Sequence, residues 1–229
     1  VYKRQDGTVL TTGLDAIEQA KEHIQNGSIV ALKGVGGYHL VCDALQENAV
    51  QSLRQRKGRP RKPLAVMAGS LEIAKQYVHI SEKEEELLLS PARPIVLLQK
   101  ITERTIAPSV APGMATLGIL LPYAPYHYSL IPSEALWVMT SANRSGDPVL
   151  YDDVQAAEEL QGIAEYILTH NREIISPVDD SVVQVVQNEP ILIRRSRGYV
   201  PLSILVVPLE KSPTMLAMGA DMKASFGMN

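Results

Sequence analysis

Short apolar runs rich in Val, Ile and Leu recur along the chain, at 28–32, 38–42, 63–67, 94–98, 117–121, 136–140, 167–169, 182–186 and 191–194. Each is strand-length. Between some of them lie helical patterns, and between others there is only a turn. Lys33-Gly34-Val35-Gly36-Gly37 separates the first two, and Gln187-Asn188-Glu189-Pro190 separates the last two. A parallel crossover needs about a dozen residues or more, so these close pairs must be antiparallel, while the helical stretches permit parallel neighbours. The pattern predicts an α/β fold built on a mixed sheet.

Helices are expected at 14–26, 48–56, 71–78, 82–89, 126–131 and 152–160. In the first, Leu14, Ile17, Ala20 and Ile24 recur at helical spacing, and Asn26-Gly27 supplies a stop. In the second, Ala49, Val50 and Leu53 face inward. Ser81 reads as an N-cap, and Asp152 or Asp153 suits a helix N-terminus.

The chain has 229 residues, 45% hydrophobic and 21% charged, enough to bury a core without staples. A single cysteine, Cys42, rules out a disulfide framework and a multi-cysteine zinc site within the chain. The histidines show no His-x-x-x-His spacing, so no protein-held metal is expected. No apolar run reaches about 18 residues, and Val1-Tyr2-Lys3-Arg4-Gln5-Asp6 lacks a leader's apolar stretch. A reduced, cytoplasmic location without membrane contact is the expectation. Three prolines between 201 and 213 read as a connector. The strand and turn expected at 215–220 have no evident partner, as though the chain stopped inside a second domain.

Net charge is −3, from 22 basic and 25 acidic residues, yet Arg54, Arg56, Lys57, Arg59, Arg61 and Lys62 crowd into nine positions. A local cationic cluster on a mildly acidic chain suits a small anionic ligand better than a long nucleic acid. Lys57-x-Arg59 beside prolines offers an ammonium and a planar fork, both suited to phosphate. Met139 to Gly146 runs from a strand end into small polar residues, where open α/β sheets hold ligands, and Ser141 and Asn143 share a face if extended. The glycines of 33–38 let backbone approach an anion, although no Walker lysine follows. Asp179 and Asp180 enter a strand, and Arg194, Arg195 and Arg197 leave one. Each of these segments also reads as an ordinary turn.

Their order along the chain carries more. Lys57-x-Arg59 followed by Ser141-x-Asn143-x-Ser-Gly resembles the signature of the YrdC family. Lys33-Gly-Val-Gly-Gly-Tyr-His-Leu-Val-Cys-Asp-Ala44, Leu117-Gly-Ile-Leu-Leu-Pro-Tyr-Ala-Pro-Tyr-His127, Asp179-Asp-Ser-Val182 and Arg194-Arg-Ser-Arg-Gly-Tyr-Val-Pro201 narrow the resemblance to the YrdC-like domains of HypF-type carbamoyltransferases, of [NiFe]-hydrogenase maturation. The resemblance implies a YrdC-like fold, a twisted mixed sheet with helices around a concave basic groove. It implies an ATP- and carbamate-binding domain over 1–205 that makes carbamoyl-adenylate, with magnesium arriving on ATP. Residues 206–229 would then be a linker and the first part of a sugar-kinase-like carbamoyltransferase domain. It also implies partners: acylphosphatase-like, zinc-finger and sugar-kinase-like domains of the same polypeptide, and HypE as carbamoyl acceptor. Lys57, Arg59, Ser141 and Asn143 take the catalytic places, and Arg195, Ser181, Gly36, Gly37, Tyr38 and His39 the nucleotide and acyl pocket. The rival readings are a threonylcarbamoyl-AMP synthase of tRNA modification and an RNA-binding module. RNA readers interleave aromatics with cations, and 54–62 holds no aromatic residue.

Overall fold

The computed structural model describes residues 1–103, 106–144, 147–203, 216–218 and 226–228. In chain order the elements are β1 (Tyr2–Arg4), β2 (Val9–Thr11), α1 (Gly13–Gln25), β3 (Val30–Lys33), β4 (Tyr38–Asp43), α2 (Glu47–Lys57), β5 (Val66–Ala68), α3 (Leu71–Ala74) and α4 (Glu82–Leu89). They continue with β6 (Ile95–Gln99), β7 (Thr116–Leu120), α5 (Pro125–Leu130), β8 (Leu136–Ser141), α6 (Asp153–Glu159), β9 (Tyr166–Leu168), β10 (Val182–Val186) and β11 (Glu189–Arg194). The strands β12 (Leu216–Met218) and β13 (Phe226–Met228) pair only with each other. The chain divides into two units, Val1–Tyr199 and Val200–Asn229.

The first unit carries one eleven-stranded sheet, in the order β11-β10-β6-β7-β5-β8-β4-β3-β9-β1-β2. Pairing is mixed, as the spacing requires. The Gly34–Gly37 turn makes β3 and β4 antiparallel, whereas β5 with β7, β6 with β10 and β3 with β9 are parallel. Side chains alternate between two cores. On β8, Leu136 and Val138 join the core covered by α2, α3, α4 and α6, while Trp137 and Met139 join the one covered by α1 and α5. Among the described residues, no helix is long and apolar enough to cross a membrane.

Local chemistry sets the helix ends. Ser81 and Glu84 form a reciprocal capping box on α4, and Asp152 caps α6 by accepting from Val154 and Gln155 N–H. The α2 helix stops at Gly58, whose φ of 66° is the left-handed conformation that glycine tolerates. Three expectations change. Leu14 is exposed, and Ala16, Ala20 and Ile24 form the buried stripe of α1 instead. The helix expected over 71–78 ends at Ala74, and Tyr77 O and His79 N bond instead to Ile101 N and Gln99 O at and just past the end of β6. The strand at 216–218 has a partner after all, an antiparallel one at 226–228. The sequence pattern also missed β1 and β2, whose three-residue strands are too short to show a period.

Candidate nucleotide site

Where α1 and α5 leave the sheet uncovered, a cavity of about 500 Å³ opens on the same face as Met139 and Ile95. Its floor is apolar: Leu64, Ala65, Ile95, Leu97, Gly118 and Met139. Arg59, Lys62 and Arg194 stand on its rim, with Ser141, His39, Asp179 and Asp180 also lining it. An apolar floor under a cationic rim suits a flat heteroaromatic ring joined to an anion.

The rim is built by α2 and the loop that follows it. Arg54 continues the buried stripe of that helix, so its guanidinium lies inside the loop. It donates to Arg59 O (2.7 Å), Lys62 O (3.1 Å), Val110 O (3.2 Å) and Ser109 O. Among the described residues the Arg59 side chain bonds to two carbonyls of its own loop, Lys62 O at 3.2 Å and Pro63 O at 2.5 Å. Among the described residues, no carboxylate pairs with Arg59, Lys62 or Arg194. Burial, then Arg54 and Arg194, pull the Arg59 pKa down to about 10. Arg59, then burial and Arg194, lower that of Lys62. Like charges fixed together in this way are relieved by an anion.

Lys57 ends α2 one turn beyond Leu53 and is 2% exposed. Its Nζ donates to Ser141 O (2.5 Å), Asn143 Oδ1 (2.9 Å) and Asn143 O. Ser141 Oγ donates to the same Asn143 Oδ1 at 2.7 Å, and Asn143 Nδ2 donates to Asp147 O. Two motifs more than 80 residues apart thus close into one hydrogen-bonded unit at the cavity's edge.

A second ionic group lies beside the same cavity. Asp180 accepts from Arg197 Nε at 2.8 Å and pairs with His39 Nε2 at 3.3 Å. Arg197 also donates to Ala92 O and Arg93 O and lies 3.5 Å above the Tyr123 ring. Burial alone would raise the Asp180 pKa, but the bond from His39 and the charges of His39 and Arg197 hold it well below the carboxylate range. With both oxygens engaged by donors, Asp180 is poorly placed for magnesium.

The expected site residues divide accordingly. Gly37, His39, Arg59 and Ser141 line the cavity, while Lys57 and Asn143 support its edge. Gly36 packs on Val178, where a Cβ would come within 2.5 Å of Val178 O. Tyr38 points to the other face, its hydroxyl bonded to Asp153 Oδ1 and Thr169 Oγ1. Ser181 is a buried staple, accepting from Ser196 N and donating to Arg197 O. Arg195 donates to Tyr199 O, and it is its neighbour Arg194 that lines the cavity. Sequence reasoning singled out neither Arg54 nor the Asp180–Arg197 pair. The helical period from Val50 through Leu53 to Lys57 does signal that Arg54 and Lys57 lie inward.

Known proteins with these features can be compared directly. The Sua5/YciO/YrdC family model, described as "Telomere recombination", matches residues 22–196. Carbamoyltransferase HypF of Synechocystis sp. is 41% identical over 97% of this chain and 29% of its own length. Threonylcarbamoyl-AMP synthase of Pyrococcus abyssi is 30% identical over 81% of this chain and 55% of its own. Among solved structures, T. kodakarensis HypF superposes with a TM-score of 0.89 at 43% identity, covering 99% of this chain and 29% of that one. Full-length HypF in a phosphate- and nucleotide-bound form gives 0.84 at 41%, covering 94% and 28%. The chain therefore spans less than a third of the length of these carbamoyltransferases. Every residue lining the cavity falls inside the matched segment, and the chain belongs to the Sua5/YciO/YrdC family.

Proposed function

We propose that this domain activates carbamate with ATP, forming carbamoyl-adenylate and pyrophosphate. The observation that carries the reading is the convergence of Arg59, Lys62 and Arg194 over an apolar floor beside Ser141. A nucleotide-bound structure of full-length HypF, a relative of this chain, supports it. A carbamate oxygen attacks the α-phosphorus in line, the bond to the β-phosphate's bridging oxygen breaks, and pyrophosphate leaves. Such chemistry asks for alignment and charge stabilisation rather than a covalent protein group. Arg59, Lys62 and Arg194 offset the triphosphate charge, and Ser141 Oγ can donate to a phosphate oxygen by turning its hydrogen away from Asn143 Oδ1. Among the described residues, no cluster of three His, Cys, Asp or Glu side chains could cage a metal, so magnesium would travel with the phosphates. In this reading the domain works in the cytoplasm within a longer polypeptide. Sugar-kinase-like residues beyond the first unit belong to the transferase that hands the carbamoyl group to HypE.

The test is pyrophosphate release from ATP and magnesium, with the adenylate identified by mass. Release that depends on bicarbonate plus ammonium supports the proposal. Release that depends on L-threonine plus bicarbonate moves the chain to the threonylcarbamoyl-AMP synthases. No release with either, together with steeply salt-dependent RNA binding, overturns it.

A further inference from the structure

The cavity lining divides by chemistry. Arg59, Lys62 and Arg194 suit the polyphosphate, and the apolar floor suits the ring. Besides Thr140 and Ser141, the polar lining that is left is Gly37, His39, Asp179 and Asp180. Two carboxylates repel a phosphate and favour an N–H group. This stretch therefore fits the NH2 of a carbamate whose oxygen faces the α-phosphorus. Strand register places it next to Ser141, because His39 and Ser141 are paired directly across β4 and β8. Paired residues carry their side chains on one face, with Cβ atoms about 4.5–5.5 Å apart.

The stretch has no slack. His39 is 8% exposed and held on two sides. Asp180 takes its Nε2 at 3.3 Å, and its other edge lies on Gly34, where a Cβ would come within 2.8 Å of Nδ1. A Cβ on Gly36 would meet Val178 at 2.4 Å, and one on Gly37 would meet Val149 at 2.5 Å. One added carbon has no room at any of these glycines, and a wall packed this closely does not retreat from a larger acyl group. We propose that His39, fixed between Asp180 and Gly34, is the specificity-determining residue of the acyl end: a carbamate with a bare NH2 fits against it, and one whose nitrogen carries a substituent does not. The inference rests on the adenylation reading above and deepens it by naming the substrate class. With either carbamate the oxygen–phosphorus bond forms and pyrophosphate leaves, so the selection is by shape.

Ammonia, methylamine, glycine and L-threonine each form a carbamate with bicarbonate, in order of increasing size on nitrogen. Pyrophosphate release from ATP and magnesium is compared at equal carbamate concentrations, set by carbon NMR. The native chain should use the ammonia-derived carbamate and lose about tenfold or more with the methylamine-derived one, and more again with the amino acids. In His39→Ala, and in His39→Asn, which keeps an N–H donor, the ratio of methylated to unsubstituted rates should rise about tenfold. Damage to folding alone lowers both rates and leaves that ratio where it was. Equal native rates with ammonia and methylamine, or a preference for L-threonine, overturn the closed acyl end. Native selectivity that persists in variants that still melt cooperatively overturns the assignment to His39. The native series tests the closed end even if both variants misfold. Release with none of the amines, ammonia included, is a different result, and it removes the adenylation reading and the selector together.

Discussion

Two arginines near one cavity are held in opposite ways. Arg197 has a carboxylate, two carbonyls and an aromatic face, so its charge is answered by the protein. Arg59 has two carbonyls of its own loop and, around it, Arg54, Lys62 and Arg194. The first is part of a clasp that joins β4, the residues just before β10 and the turn after β11. The second is a rim whose charge only a ligand can answer. The contrast teaches that arginine count in a site says little, and that a residue's role follows from whether its partners are already present.

That division makes opposite forecasts for the two arginine groups. Asp180→Asn should remove the clasp's carboxylate and leave the largely buried Arg197 without a counter-charge. Breaking a buried pair from one side costs about 3–5 kcal/mol. At about 2–4 °C per kcal/mol for a chain of this size, the melting temperature should drop by roughly 10 °C. A drop of a degree or two would show that the clasp is not what holds these segments. Arg59→Ala should do the reverse. Pyrophosphate release should fall about 10²–10³-fold, the cost of one transition-state contact, while melting changes little. A large loss of stability with unchanged turnover would exchange the roles assigned to the two groups.

Much of this was legible before any coordinates, for a physical reason. Strand length and alternation depend on local residues, so most of the sheet's strands and its mixed character follow from spacing. The convergence of the 57–59 and 141–143 segments was likewise expected from the order of motifs. What sequence order cannot show is which donor meets which acceptor. Lys57 looks like a phosphate ligand in a row of cations, yet its burial turns it toward backbone oxygens. Arg194 and Arg195 are indistinguishable as letters, and only the register of β11 puts the former over the cavity. The clasp was hidden because its members are separated by up to 158 positions, His39 to Arg197.

A smaller effect tests the packing beside the clasp. Gly36 lies against Val178, two residues before Asp180, and accepts a hydrogen bond from Val178 N. A methyl group there would force the two segments apart, and overpacking of this kind costs about 1–3 kcal/mol. Gly36→Ala should therefore lower the melting temperature by several degrees and weaken ATP binding at the same time. An unchanged melt would mean that the 178–180 segment can retreat from Gly36, and the clasp would then be less rigid than its hydrogen bonds imply.

The last effect is read from pH. His127 is fully buried beside the clasp, and its Nδ1 accepts from Tyr123 and Ala124 N–H at 3.3 Å each. That fixes the proton on Nε2 and the ring as neutral. Burial, then the nearby charge of His39, pulls its pKa down from 6.5 to about 3, with Asp180 opposing. Because the folded value is depressed, the unfolded chain binds the extra proton first. The contribution is fully present above the unfolded pKa, near 6.5, and is lost progressively as pH falls toward 3. The slope should approach about 1.4 kcal/mol per pH unit for this one group. Asp180, depressed from 3.8, adds a loss in the same direction only at more acid pH. Denaturant titrations of the native chain and His127→Gln at pH 6, 5 and 4 separate the two. The native chain should lose stability across that range and the variant much less. Parallel curves would assign the acid sensitivity to some group other than His127.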